Sequence, residues 1–507
     1  MPVPMPSPPS VAAVPPRPAT RREWWGLAVL VLPTLLLALD MTVLHLAAPH
    51  LSADLRPSSS ELLWILDIYG FMIAGFLVTM GTLGDRIGRR RLLLSGAFAF
   101  GVASVLAALS TSAAMLIATR ALLGIAGATL MPSTLSLIRN MFHVERERTV
   151  AITVWMTGFI VGSAIGPLVG GALLEYFPWG SVFLLGVPVM LVLLVAGPLL
   201  LPEFRDDAAG PLDLPSALLC VGMLLAVIFG IKSVARDGIT LQALAAIVLG
   251  LAVGVLFVRR QHRLAQPMFD LGLFANRGFS VSVVAMLLTI LALSGTWLMV
   301  FQYLQGVLGL SPLDAGIVML PPALLQVAAS MWVPRLARRY PPERLVSAGL
   351  LLALPGFVAM MLVGGPASMW LLVGGTSVLG VGVMPMMILG TDLVVGAAPP
   401  TKTGAAAATS ETATELGMAL GIAIIGSVGA AIYRGRMLAG LPEGLPPELA
   451  ASAVDTLGGA LGAAERLPGE AGAALLHAAR EAFSAALHVN AVIGAAIMLA
   501  TALIAAL

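Results

Sequence analysis

The stretch Gly81-Thr-Leu-Gly-Asp-Arg-Ile-Gly-Arg-Arg-Arg91 is a charged island between two long apolar runs, residues 61–80 before it and 92–110 after it. Such an island reads as a tight loop at a membrane face, clamped between two spanning helices. Arg86, Arg89, Arg90 and Arg91 place that face on the cytoplasmic side by the positive-inside bias. Gly81, Gly84 and Gly88 allow a sharp turn and close backbone approach. Asp85 can pair with a nearby arginine or cap a helix N-terminus.

The rest of the chain agrees with a membrane setting. Of its 507 residues 59% are hydrophobic and 11% charged, with a mean hydropathy of +0.97. A soluble domain carries about 25% charged residues, so this composition excludes one. Cys220 is the only cysteine, which rules out an internal disulfide and argues against thiol metal chemistry. Eight prolines in the first eighteen residues make 1–23 a disordered cytoplasmic tail. The apolar segment after it is too long for a signal peptide and lacks a small-residue cleavage site.

A spanning helix needs about 20 apolar residues. Fourteen such segments can be laid out, at roughly 24–48, 61–80, 92–110, 112–138, 150–174, 179–200, 214–234, 241–258, 278–304, 312–334, 344–363, 369–395, 404–433 and 483–506. With the tail inside, twenty arginines and lysines fall in the inner segments and only Arg56, Lys232 and Arg236 in the short outer connections. Both termini are therefore expected on the cytoplasmic side of a multi-pass protein of the cell membrane. The outer segment 434–482 is rich in Ala, Gly, Leu and Glu; it reads as filler or a short amphipathic excursion, with an extracellular lid as the alternative.

The island resembles the signature between helices 2 and 3 of the major facilitator superfamily, standing here as Gly81-x-Leu83-Gly84-Asp85-Arg86-x-Gly88-Arg89-Arg90. The resemblance implies an all-α fold of two pseudo-symmetric six-helix bundles, with cargo bound near the midplane between them and this loop latching the cytoplasmic side. Fourteen spans then parse as 6+2+6. Residues 24–200 form the first bundle, 201–277 a linker with two extra helices packed outside the transport core, and 278–507 the second bundle. Pro334-Arg-Leu-Ala-Arg-Arg-Tyr340 is a degraded echo of the loop in the second bundle.

Charges inside the bilayer cost roughly 2.5–3.5 kcal/mol each on insertion scales, which makes each a functional candidate. They are Asp40, Asp67, Arg120, Glu411 and Glu415, with Asp314 and Asp392 nearer helix ends. Asp40 and Arg120 each lie eight residues from an outer helix end, about 12 Å deep. At matched depth they can form an ion pair. In a low-dielectric site a carboxylate holds its proton more tightly, and a nearby arginine loosens it. Moving that arginine would load and release a proton; a static structural pair is the alternative.

Both residues sit in motifs. Leu39-Asp40-x-Thr42-Val43 with Ala47-Ala48-Pro49 resembles the helix 1 signature of the fourteen-helix drug:proton antiporters. Arg120-Ala-Leu-Leu-Gly124 resembles their helix 4 signature, whose arginine is tied to proton coupling. Gly158, Gly162, Gly166, Pro167, Gly170 and Gly171 resemble the helix 5 motif that separates exporters from importers. Glycines four apart give a smooth face for close packing, and the proline permits a kink.

Glu411 and Glu415 lie one turn apart on one face of helix 13, and Glu415-Leu-Gly-Met-Ala-Leu-Gly421 resembles the family pattern there. This pair suits a proton site or cation recognition, or else hydrogen bonding to neighbouring helices. Asp67, in Trp64-Ile-Leu-Asp67-Ile-Tyr69, is read as lining an outward vestibule. Some multidrug members carry an acid within helix 10, where this chain has Gln326; a divalent-cation preference is doubtful. His45 and His50 read as interfacial, with a relay role for His45 as the alternative.

No P-loop, metal-ligand spacing or hydrolase nucleophile motif is evident. The expectation is a monomeric, non-enzymatic exporter of small hydrophobic, cationic compounds. It would work with protons and lipid bilayer as its partners, without nucleic acid, cofactor or metal. Rival readings are export of an endogenous antibiotic or envelope lipid, an uptake symporter, and a non-transporting membrane sensor.

Overall fold

Polar residues decide where the helices begin. Thr20 with Glu23, and Ser58 with Glu61, form reciprocal capping boxes at the starts of α1 (Arg21–Leu55) and α2 (Ser59–Ile87). Ser112 caps α4 (Ala113–Met141), after α3 (Arg89–Ala108). Then come α5 (Glu145–Tyr176), the single span made by α6 (Ser181–Leu184) and α7 (Gly186–Leu200), and the inserted pair α8 (Leu214–Asp237) and α9 (Leu241–Arg263). The second bundle runs through α10 (Arg277–Gln302), prolonged by a π turn at Tyr303–Val307, then α11 (Pro312–Val318) with α12 (Leu320–Ala337). It continues with α13 (Pro342–Met361), α14 (Ser368–Gly396) and α15 (Thr403–Gly440). A small hairpin, α16 (Pro447–Asp455) and α17 (Leu457–Ala464), precedes α18 (Gly469–Ala506).

The computed structural model describes residues 17–205, 212–264, 267, 269–364, 368–399, 402–442, 444–467 and 469–506. Among the described residues 13 spans are long and apolar enough to cross a membrane, and the bent α5 brings the number to 14. Its two parts, Arg146–Ser163 and Ile165–Tyr176, meet at 42°. The bend falls just before Pro167, where a proline removes a helical hydrogen bond. The burial pattern is that of a membrane protein. Phe98, Leu122, Val195, Leu199, Val248 and Trp370 are exposed, whereas Asp67, Arg120, Lys232 and Glu415 are buried.

The two bundles repeat one packing plan. In the first, α1 packs on α5 and α7, and α4 on α2 and α3; in the second, α10 packs on α15 and α18, and α14 on α12 and α13. The contacts between bundles are likewise paired, α5 with α11 and α2 with α15. They lie towards the face that carries the α16–α17 hairpin. Gly171 meets Pro312 and Leu313, Gly316 meets Pro167, and Gly426 meets Leu63. The Gln305 amide donates to the Leu46 carbonyl at 3.1 Å across the same seam.

Several expectations change. The tail reading of 1–23 falls partly outside the described residues, 1–16, and α1 already begins at Arg21. The opposite end of α1 runs to Leu55 rather than 48, because Pro49 sits inside the helix without ending it. Most of the charged island is helical: α2 continues to Ile87, and Gly88 alone, at φ 111°, makes the turn into α3. In its described residues the segment 434–482 is largely helical rather than filler. Its ends belong to α15 and α18, and Gly458 of α17 packs against Pro49 and Ser52 of α1. Tyr433 donates to the Ala453 carbonyl at 2.9 Å and Arg434 pairs with Asp455 at 2.8 Å, holding α16 to α15.

The inserted pair is not simply outside the core. Helix α8 packs on both α2 and α15, its Leu224 and Ile228 clustering with Phe71, Ala419 and Ala423. Its base is fixed by Asp213, which caps α8 and pairs with Arg260 of α9 at 2.8 Å. Partial burial opposes the charge on Asp213, but hydrogen bonds from Ser216 and Arg260 outweigh it and hold the carboxyl below the usual aspartate range.

Candidate functional site between the bundles

Asp40 on α1 and Arg120 on α4 meet. One guanidinium nitrogen, Nη1, donates to Asp40 Oδ2 at 2.8 Å, and Nε donates to the Ile65 carbonyl of α2 at 3.2 Å. The guanidinium lies over the Tyr69 ring at 4.5 Å and near the Phe183 ring at 5.8 Å. Ring faces stabilise a desolvated cation. The Arg120 side chain is 2% exposed and that of Asp40 12%. The arginine is thus enclosed, while the carboxylate keeps an opening. The matched depths expected from sequence end the first helix at residue 48. With α1 seven residues longer, the pair forms through helix crossing rather than equal distance from two ends.

Glycine lets α5 approach α1 on that side. A Cβ at Gly162 would stand 2.4 Å from the Leu35 carbonyl oxygen, one at Gly158 2.6 Å from Val31, and one at Gly170 2.8 Å from Val43. Gly166 faces Thr42, two residues beyond Asp40, at a distance that leaves no room for a side chain. Gly171 and Pro167 face α11 of the other bundle. The motif therefore does two jobs. It seats α5 on the Asp40 helix, and it forms the seam between bundles.

Across the seam, Glu415 on α15 is 4% exposed and its Oε2 has no hydrogen-bond partner among the described residues. Glu411, one turn earlier, is half-buried. Gly417 and Gly421 bring α15 against the Leu287 and Leu291 carbonyls of α10. One turn beyond Glu415, Ala419 touches Gly70 of α2, where a Cβ would stand 3.2 Å away. Tyr69, beside that crossing, lies under the Arg120 guanidinium at 4.5 Å.

Asp67 is placed differently from the expected vestibule. Its Oδ2 lies 2.8 Å from Lys232 Nζ of α8, and both side chains are at most 1% exposed. Lys232 also stands over the Trp64 ring at 4.0 Å. Lys232, expected from sequence in an outer connection, lies inside α8, six residues before its C-cap Gly238. His45 is half-buried, and its buried Nδ1 has no partner among the described residues. Gln326 of α12 packs over Gly380 of α14.

At the turn between α2 and α3, Asp85 pairs with Arg89 at 2.6 Å, and Arg89 reaches the Pro132 carbonyl of α4 at 3.4 Å. Glu203, which sequence reasoning overlooked, receives the Arg90 amide at 3.1 Å and lies 3.6 Å from the Arg90 Nε. The Arg89 amide donates to the Phe204 carbonyl at 2.8 Å. A Cβ at Gly88 would stand 2.4 Å from Glu203 Oε1. Among the described residues these contacts stay within the first bundle and the irregular segment that leaves it.

Two six-span bundles around facing polar sites define a secondary-transporter architecture. The model of the Major Facilitator Superfamily matches residues 30–422, and the chain belongs to that family. It is 46% identical to the multidrug efflux pump LfrA of Mycolicibacterium smegmatis, over 95% of each chain. It is 37% identical to the methyl viologen resistance protein SmvA of Salmonella typhimurium, over 91% of this chain and 93% of that one. In fold it is similar to a bacterial homologue of the human lysosomal transporter Spinster, crystallised inward-facing and unoccupied. That match has a TM-score of 0.67 at 19% identity and covers 96% of this chain and 98% of the other. The chain is a multi-pass membrane protein of a transporter family whose relatives include multidrug efflux pumps and antibiotic-resistance exporters.

Proposed function

We propose that the protein exports small hydrophobic, cationic compounds across the cell membrane in exchange for protons, by alternating access, as a monomer with both termini cytoplasmic. The observation that carries this reading is the Asp40–Arg120 pair at 2.8 Å, enclosed on the arginine side and open on the carboxylate side. The names of the relatives, a multidrug pump and a methyl viologen resistance protein, support the cargo class.

The inter-bundle contacts towards the hairpin face support reading this arrangement as the state open to the Gly88 face, which the arginine bias assigns to the cytoplasm. In this state Arg120 engages Asp40 at 2.8 Å. Cargo enters from the cytoplasm, and the unpaired Glu415 with Glu411 offers a cation a counter-charge in a low-dielectric wall. Rocking about the α2–α15 and α5–α11 contacts opens the other face. Asp40 then takes a proton from outside, which frees it from Arg120, and cargo leaves. On return Arg120 re-engages and the proton passes to the cytoplasm.

Charge balance sets a limit. One charge across 100 mV is worth about 2.3 kcal/mol, so one proton against one monovalent cation draws on the pH gradient alone. A second carboxylate taking a proton would add the electrical term; Glu411 and Glu415 are the candidates. The test is proteoliposome transport of a quaternary-ammonium dye under an imposed pH gradient. Uphill dye movement accompanied by counter-flow of protons supports the reading. Dye movement indifferent to the gradient contradicts it.

A further inference from the structure

The last turns of α9 gather arginines on one face. Leu256, Arg259, Arg260 and Arg263 follow the i, i+3, i+4, i+7 spacing that lines side chains up along a helix. Together with Leu219 of α8 and Leu264 they line an open cavity of ≈ 420 Å³. Its foot is a knot of hydrogen bonds. Ser216 Oγ accepts from Arg260 Nε at 3.1 Å and from the buried Gln261 amide at 2.8 Å, and Asp213 accepts from Arg260 Nη2 at 2.8 Å. The Gln261 carbonyl oxygen in turn accepts from the Phe269 amide at 3.1 Å. These contacts fix the final turn of α9 against the start of α8, so Arg259 and Arg263 extend from a preorganised frame.

Charge and position identify the occupant. Among the described residues the one ion pair made by these three arginines is that of Arg260 with Asp213. A basic last turn by itself only complements the helix dipole. Here it borders a concavity whose other walls are leucines. Leu256 is 54% exposed and lies about 10 Å along the helix axis from Arg263. The cavity thus has an apolar end within the bilayer and a cationic end at its surface. That surface is the Gly88 face, because α8 runs antiparallel to α2: Val221 of α8 packs on Gly75, while Lys232, nearer the end of α8, meets Asp67, nearer the start of α2. We propose that this cavity binds an anionic phospholipid of the leaflet at that face, with its phosphate on Arg259 and Arg263 and its acyl chains along Leu219 and Leu256. The lipid then secures the foot of the inserted pair, whose helix α8 packs on both α2 and α15. The inference is independent of proton coupling and of cargo.

Lipids of equal chain length separate charge from apolar contact. Phosphatidylglycerol brings a net negative headgroup to the arginines, whereas phosphatidylcholine carries its own cation. From the worth of one basic residue at an anionic surface, Arg259→Gln or Arg263→Gln alone should weaken phosphatidylglycerol binding about fivefold, and the two together roughly thirtyfold. Arg338→Gln with Arg339→Gln removes the same charge from exposed positions at the end of α12 and should leave binding unchanged. Free glycerol phosphate offers the phosphate without the chains and should bind far more weakly than the lipid.

The experiment titrates delipidated full-length protein in detergent with phosphatidylglycerol, phosphatidylcholine or glycerol phosphate, and reads the bound fraction by native mass spectrometry. A wild-type preference for phosphatidylglycerol, lost in the Arg259→Gln, Arg263→Gln double and kept in the Arg338→Gln, Arg339→Gln double, establishes the proposal. Equal loss in both doubles reports diffuse surface charge and overturns it, as does loss in neither. Equal binding of the two lipids, or retention of neither, also overturns it. Glycerol phosphate held as tightly as phosphatidylglycerol overturns the lipid as occupant. If the Arg259→Gln, Arg263→Gln double does not fold, protection of Arg259 and Arg263 in wild type against phenylglyoxal, read by peptide mass, decides the matter. Protection by phosphatidylglycerol and not by phosphatidylcholine supports the site, and modification undiminished by phosphatidylglycerol overturns it. None of these outcomes bears on the transport reading, so the two stand or fall separately.

Discussion

Arg120 donates to Asp40 through Nη1 at 2.8 Å and to the Ile65 carbonyl through Nε at 3.2 Å, so one side chain ties α4 to both α1 and α2. Arg120→Lys keeps the charge but has no second nitrogen for Ile65. We expect the variant to fold, and its proton-coupled transport to fall well below that of wild type. Downhill dye efflux should persist. Parallel uphill and downhill assays check the split.

Gly171 packs on the Pro312 carbonyl, where a Cβ would stand only 2.6 Å away. This contact lies between bundles rather than within one. Gly171→Val is therefore expected to leave each bundle intact and to disfavour the state open to the Gly88 face. Overpacking of this kind costs about 1–3 kcal/mol, enough to shift the population roughly tenfold. Labelling of single cysteines introduced on the two faces measures the shift.

Gly88 combines a φ of 111° with Glu203 directly behind it. Any side chain there is strained and clashes as well, so Gly88→Ala should destabilise the α2–α3 turn by about 1–3 kcal/mol. Glu203→Gln removes charge but keeps the shape, and its effect should be smaller. Thermal denaturation in detergent, followed by tryptophan fluorescence, ranks the two.

Asp213 caps α8 and holds Arg260. Asp213→Ala should cost about 1 kcal/mol through the lost cap. The carboxyl is held below the usual aspartate range by the Ser216 and Arg260 hydrogen bonds. Its stabilising effect is therefore present above the unfolded aspartate range and lost as pH falls through the lowered folded value. Over the neutral range the α8–α9 base should show no pH dependence, which hydrogen exchange of the α8 amides can check.

The helices and the helix-packing face of α5 were readable in advance, because apolar length and four-residue glycine spacing are periodic signals along the chain. Asp40 and Arg120 were readable as a pair because charge in hydrocarbon is scarce and few partners exist. Lys232 was misplaced because hydropathy blurs the end of a helix. A lysine near that end looks solvated until a carboxylate from another helix is seen beside it. Glu203 was missed since it lies beyond the apolar run, and nothing in its neighbours announces contact with Gly88. The docking of α17 on α1 was hidden for a related reason. Alanine and glycine carry little periodic signal, so packing of Gly458 on Pro49 shows only in three dimensions.

The central claim is that Asp40 exchanges its proton in step with cargo. The most direct measurement is proton release from purified protein in weakly buffered detergent when a quaternary-ammonium dye is added. Wild type should release protons as dye binds, and Asp40→Asn, folded and dye-binding, should release markedly fewer. Equal release from Asp40→Asn and wild type would contradict the account.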